Sequence, residues 1–104
     1  MKYPILLAAL FFTVGTAVAA ELDGAKLYVM KTCVACHGPN GDKPLLPMYP
    51  KLAGQNAIYA EQQMKDIKSG ARSNGQTAAM KGVMHLVDDE EIKVLAEYIS
   101  GLKQ

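Results

Sequence analysis

Only two cysteines occur in this 104-residue chain, and they stand three positions apart with a histidine directly after them: Cys33-Val34-Ala35-Cys36-His37. Two thiols and an imidazole on one short stretch of backbone force any fold to converge there. Taken alone, the thiols could close a disulfide, supply half of a metal site or serve thiol exchange. Exchange through C-x-x-C needs a thioredoxin-like strand-and-helix setting, and no alternating apolar run here is long enough for a strand. A zinc site needs further ligands, and His85 is the one imidazole left outside the motif.

The remaining reading is the strongest. C-x-x-C-H is the attachment sequence of a c-type haem. Thiols at this spacing reach the two vinyl groups along one edge of a porphyrin, and the adjacent imidazole then falls beneath the iron. One covalent haem c, held by Cys33 and Cys36 with His37 as an iron ligand, is therefore expected.

The length of the chain supports this. Lys2 opens a short basic region, Ile5 to Ala19 is uncharged and rich in Leu, Ala and Phe, and Ala17-Val18-Ala19 ends it as an A-x-A cleavage signal. A membrane anchor is the rival reading, but about 15 apolar residues fall short of the roughly 20 that a spanning helix needs. The expected organisation is a signal peptide over 1–20, cut after residue 19 or 20, and a single domain over 21–104 without a membrane span. An apolar core in a domain of about 85 residues gives only a few kcal/mol of stability, so such a domain needs a staple. A covalent apolar plate serves.

Removing Lys2 leaves ten Lys and Arg against ten Asp and Glu. Such a balance argues against nucleic acid as a partner and against a partner found chiefly by long-range steering.

Along the chain, Asp23 can cap a helix whose positions Ala25, Tyr28, Val29 and Thr32 recur at three- and four-residue steps and run into the motif. From Gly38 to Gly54, Pro39, Pro44, Pro47 and Pro50 deny backbone donors to any regular element. Leu45, Leu46, Met48, Tyr49 and Leu52 make this an ordered wrapping loop, expected to pack on something flat and apolar such as a haem face. Asn56 caps a second helix with Ala57, Ala60, Met64 and Ile67 on one stripe, Lys65, Asp66 and Lys68 pointing away, and Gly70 as its end. Residues 71–87 read as irregular or only briefly helical. Asp88 and Glu91 then form a capping-box-like start to a last helix that buries Ile92, Leu95, Ala96 and Ile99 and stops at Gly101.

The second axial ligand must come from beyond the wrapping loop, which leaves Met64, Met80, Met84 and His85. Met64 lies on a helical stripe, where methionine is usually core filler. Met80 lies in the irregular stretch, from which a loop can present a thioether, and Met84 follows one helical turn later. His85 would give a bis-histidine haem of lower potential, although a lone histidine near a helix start is more often a surface residue.

Four stretches resemble the class I c-type cytochromes, in particular the small single-haem c553-type carriers and the halves of diheme cytochrome c4. They are residues 33–41 (CVACHGPNG), 50–55 (PKLAGQ), 80–82 (MKG) and 89–99, where Asp89-Glu90-Glu91-Ile92 leads to Leu95-Ala96-Glu97-Tyr98-Ile99. The resemblance spans essentially the whole chain after the leader. It implies an all-α fold of three to four short helices wrapped around one covalent haem, with Met80 as the distal sulfur ligand. It also implies that the carbonyl of Pro50 accepts from the free ring nitrogen of His37, and that Gly24 and Tyr28 of the first helix pack against Leu95 and Tyr98 of the last.

With His37 and Met80 both on the iron there is no open position for a substrate, so the resemblance implies an electron carrier and not an enzyme. The expected protein is soluble, periplasmic and monomeric, and shuttles single electrons between a donor and an acceptor, one of them a membrane-bound oxidase or reductase of a respiratory chain. Its contact with either partner is expected to be small, transient and partly apolar. Arg72 and Asn74 are candidates to meet a haem propionate, with simple solvation as the alternative. A ligand sensor or a peroxidase-like haem subunit stays open as a rival, and requires a distal ligand that leaves.

Overall fold

The computed structural model describes residues 21–104, so the leader expected over 1–20 lies outside the described residues. Among those residues there are five α-helices and no strand: α1 (Gly24–Met30), α2 (Cys33–His37), α3 (Ala57–Ser69), α4 (Thr77–Met84) and α5 (Asp89–Ser100). None is long and apolar enough to cross a membrane.

The last helix organises the rest. The Asp88 side chain accepts from the Glu91 N–H at 2.8 Å and the Glu91 side chain accepts from the Asp88 N–H at 3.0 Å, which closes the expected capping box. Asp89, Glu90 and Glu91 in the first turn suit the positive end of the helix dipole. One face then buries Ile92, Leu95, Ala96 and Ile99, and α1 and α3 pack on this helix.

In α1, the Asp23 carboxylate accepts from the Lys26 N–H at 3.2 Å, as expected of a cap. The buried face differs from the periodic reading. Leu27 and Tyr28 are buried, while Ala25, Val29 and Thr32 are exposed. A helix of two turns offers α5 only a narrow strip, and the close approach of the two axes selects it. A Cβ on Gly24 would lie 2.6 Å from the Cβ of Tyr98, and the Tyr28 and Tyr98 rings meet with centroids 5.6 Å apart. The pairing of Gly24 and Tyr28 with α5 thus holds for Tyr98.

The first helix also stops short of the cysteines. Thr32 has a left-handed φ of 66°, rare for a β-branched residue, and the chain turns there so that the motif forms a short helix of its own. Together with α4, this raises the helix count to five where three to four were expected.

Backbone hydrogen bonds order the wrapping loop: Leu45 N–H to Cys36 O at 2.9 Å, Leu52 N–H to Gly41 O at 2.7 Å and Gly54 N–H to Ile99 O at 3.0 Å. Gly38 starts it with φ 87°, and a side chain there would run into the Lys43 carbonyl. The Tyr28 hydroxyl donates to Gly38 O at 2.6 Å and ties the loop to α1. Leu45 and Leu46 depart from the expectation of packing, being exposed, with Leu45 at 70 %.

Asn56 caps α3 by accepting from Ile58 and Tyr59 N–H at 2.9 and 3.2 Å, and a left-handed Gly70 closes it. Met64 and Ile67 are buried on its inner face. The helix α4 is the brief helix allowed for in the stretch 71–87, and Met80, expected on an irregular part of it, sits on this helix and not in a loop. No side-chain cap marks its start, and eight residues are too few for a persuasive period. It forms because Thr77 and Met84, followed by Val87, are buried on one side of it. Among the helices it packs against α3 alone.

Candidate haem site

A cavity of about 450 Å³ lies between the motif, the wrapping loop, α3 and α4. Cys33, Cys36 and His37 form one wall, and Met80, Val83 and Met84 of α4 line it as well. Tyr49, Pro50 and Leu52 come from the loop, and Leu95 and Ile99 from α5. The wrapping loop therefore does turn part of its apolar surface inward, although the exposed Leu45 and Leu46 do not line the cavity.

His37 is buried, with Nδ1 2.9 Å from the carbonyl oxygen of Pro50. A carbonyl oxygen can only accept, so Nδ1 is the protonated nitrogen and Nε2 of the neutral ring keeps its lone pair for a metal. Burial lowers the His37 pKa, opposed by the bond to Pro50, and favours this neutral form. The contact is the one the resemblance implied. The His37 and Tyr49 rings lie 6.4 Å apart, which adds a second constraint on the imidazole plane.

Burial pushes the Cys33 thiol up to about 11. That is the wrong direction for thiol exchange, which works through a thiolate of lowered pKa. Among the described residues no three His, Cys, Asp or Glu side chains converge as a metal cluster of the kind zinc uses. Burial likewise pushes the Tyr28 hydroxyl up to about 12, in keeping with its role as a buried donor to Gly38.

Of the four candidates for the second axial position, three line the cavity: Met64, Met80 and Met84. His85 does not, being exposed at the end of α4. Met64 and Met84 are 8 % and 1 % exposed and belong to the core, whereas Met80 is half-buried beside it. Among these three, Met80 is thus the one whose side chain is least committed to packing.

Arg72 and Asn74 both reach the cavity, where Arg72 donates to Gln63 Oε1 at 3.1 Å. Gln55, quoted only as part of the stretch 50–55, and Gln63, Gln76 and Thr77, which sequence reasoning did not single out, add polar groups to the same lining. Nothing in their local pattern marks them, since they come from just after the wrapping loop, from α3 and from the start of α4. Paired thiols, a free imidazole nitrogen, a half-buried thioether and largely apolar walls suit a covalent haem.

A family model described as Cytochrome c matches residues 22–103. The chain belongs to the cytochrome c family. This cytochrome is 38 % identical to the cytochrome c-553 of Nitratidesulfovibrio vulgaris, over 91 % of this chain and 89 % of that one. It is 42 % identical to the cytochrome c4 of Stutzerimonas stutzeri over 70 % of this chain, and spans only 35 % of that longer protein. Among solved structures, reduced recombinant cytochrome c4 from Pseudomonas stutzeri superposes with a TM-score of 0.69 at 38 % identity, covering 77 % of this chain and 46 % of that one. As a family member this cytochrome has the class I fold and carries covalent haem c.

Proposed function

We propose that this cytochrome is an exported, periplasmic, monomeric carrier of single electrons, with Cys33 and Cys36 as thioether links, His37 and Met80 as axial iron ligands and Pro50 as the group that orients His37. In this reading residues 1–20 are a cleaved leader and 21–104 the working domain. The observation that carries the ligand assignment is the His37–Pro50 hydrogen bond, which commits Nδ1 and leaves Nε2 as the basic nitrogen of a buried ring. When bound, the haem supplies a one-electron couple between ferric and ferrous iron.

The chain's own residues set how that couple behaves. Pro50 fixes the tautomer and plane of His37. Met80 offers a soft thioether, which favours the ferrous state and raises the potential. The apolar lining keeps water away and limits reorganisation when the charge changes. With His37 and Met80 both holding the iron, the chain would leave no position for a substrate, and the useful event would be exchange of an electron with a donor and an acceptor. A respiratory chain, with a membrane-bound oxidase or reductase at one end, is the setting this reading favours.

The optical spectrum of the purified exported protein, oxidised and reduced and extended into the near infrared, tests the proposal. A c-type reduced spectrum with a weak sulfur-to-iron band in the oxidised form is expected. Haem without that band would remove the methionine ligand and favour a sensor or peroxidase-like site.

A further inference from the structure

The helix that carries Met80 packs its backbone closely against α3 alone among the helices, and otherwise reaches the core through the side chains of Thr77 and Met84. Its C-terminal end is held in another way. After Met84 the chain passes through His85, Leu86 and Val87 to the Asp88 cap of α5, and the carbonyls of Leu86 and Val87 point at two lysines from distant parts of the chain. Lys31, the residue that ends α1 just before the motif, donates from Nζ to Leu86 O at 2.8 Å. Lys68, in the last turn of α3, donates from Nζ to Val87 O. Among the described residues neither carbonyl takes a backbone N–H.

Lys31 does more than cap a carbonyl. Its Nζ also lies 3.4 Å from Glu91 Oε2, while Glu91 Oε1 accepts from the Asp88 N–H. One ammonium thus bridges the turn after α4 and the capping box of α5, at a partly buried position where an ion pair is less screened than at the open surface. The residue making this bridge is two positions before Cys33. The stretch that holds one side of the haem site is thereby tied to the junction that follows the helix on the other side.

We infer that Lys31 and Lys68 are positioning residues for Met80: together they latch the α4–α5 junction and so limit how often α4 swings its thioether away from the iron. The inference rests on Met80 as the distal ligand. Charged donors on carbonyls are stronger than neutral ones, but Leu86 is exposed and the Lys68 bond only partly buried, so loss of one raises the population of the opened junction by roughly three- to tenfold. That opened population sets how fast an external ligand can take the vacated position.

The test uses the haem-loaded protein with Lys31→Met and Lys68→Met, singly and together, and Lys→Arg at each position. These keep the apolar stem and remove or retain the donor. Three quantities are read: the near-infrared band, the rate at which imidazole binds the oxidised form, and amide exchange in α4. The expected result is a retained band, imidazole binding faster by roughly three- to tenfold in each single Met variant and by more in the double, faster exchange confined to α4 and the first turn of α5, and recovery with Arg. The same lysine changes in a Met80→Ala background should leave imidazole binding unaltered. A retained band with parental rates in the double Met variant overturns the latch while leaving the ligand assignment intact. Equal acceleration in the Met80→Ala background also overturns it, because the lysines then act elsewhere. Absence of the band from the parent protein overturns the ligand assignment and the latch with it.

Discussion

Gly24→Ala and Gly82→Ala are the same substitution in two helices, and the structure gives them opposite signs. Neither glycine has the positive φ that would forbid a side chain. At Gly24 the new methyl would lie 2.6 Å from the Cβ of Tyr98, 3.1 Å from its Cγ and 3.3 Å from the carbonyl oxygen of Val94. A Cβ is fixed to its backbone, so the strain cannot be relieved by a rotamer change. The helices α1 and α5 must move apart, loosening the Tyr28–Tyr98 contact with them. Overpacking of this kind costs about 1–3 kcal/mol, while the gain in helix propensity is at most about 1 kcal/mol and smaller at a first helical position. A net loss of about 1–2 kcal/mol follows. At Gly82, inside α4, nothing lies within 4 Å of the added methyl, so only the propensity gain of roughly 0.5–1 kcal/mol remains. Guanidinium unfolding of the two oxidised holoproteins, followed by far-ultraviolet circular dichroism and analysed with a common m-value, should separate their stabilities by about 1.5–3 kcal/mol. Gly24→Ala as stable as the parent protein would refute the close crossing of α1 and α5.

Tyr28→Phe removes the donor to Gly38 O, which still accepts from the Gly41 N–H at 3.2 Å, so a loss near the low end of the usual range, about 1 kcal/mol, is expected in the same unfolding assay. The raised Tyr28 pKa also has a pH signature: the folded state keeps a proton that the unfolded chain releases above about 10, so stability should hold below pH 10 and fall between about 10 and 12. Tyr28→Phe should flatten that alkaline fall, and an unchanged slope would assign it to other groups. Met80→Ala should lower the reduction potential in a voltammetric titration and admit imidazole at the iron, whereas an unchanged potential would move the assignment to Met84 or Met64.

The parts of this fold that the sequence makes legible are those whose partners lie within one helical turn. Asp23, Asn56 and Asp88 reach backbone N–H groups two or three residues on, and Glu91 reaches back three. Their residue types therefore declare helix starts without knowledge of the rest. The 3.6-residue period of Ile92, Leu95, Ala96 and Ile99 runs long enough to name a buried face. The cofactor was legible for a similar reason, because Cys33, Cys36 and His37 are adjacent in the chain and their spacing is itself the chemistry. The link from Pro50 to His37 came from resemblance, as a bond across thirteen residues has no local mark.

Tertiary structure decided the remainder, and in each case the energy came from contacts between distant segments. Crossing of α5 at Gly24 chose Leu27 and Tyr28 over Val29 as the buried face of α1. Burial of Thr77, Met84 and Val87 made a helix of a stretch without a cap. Cavity placement left His85 outside the lining and Met80 as the least buried of the three candidate thioethers. The ties from Tyr28, Lys31 and Lys68 to carbonyls 10, 55 and 19 residues away exist only because folding brings those carbonyls to them. Interactions that close within a turn are encoded by neighbours, and the sequence alone determined them here; those that close across the molecule depend on where packing sets the helices.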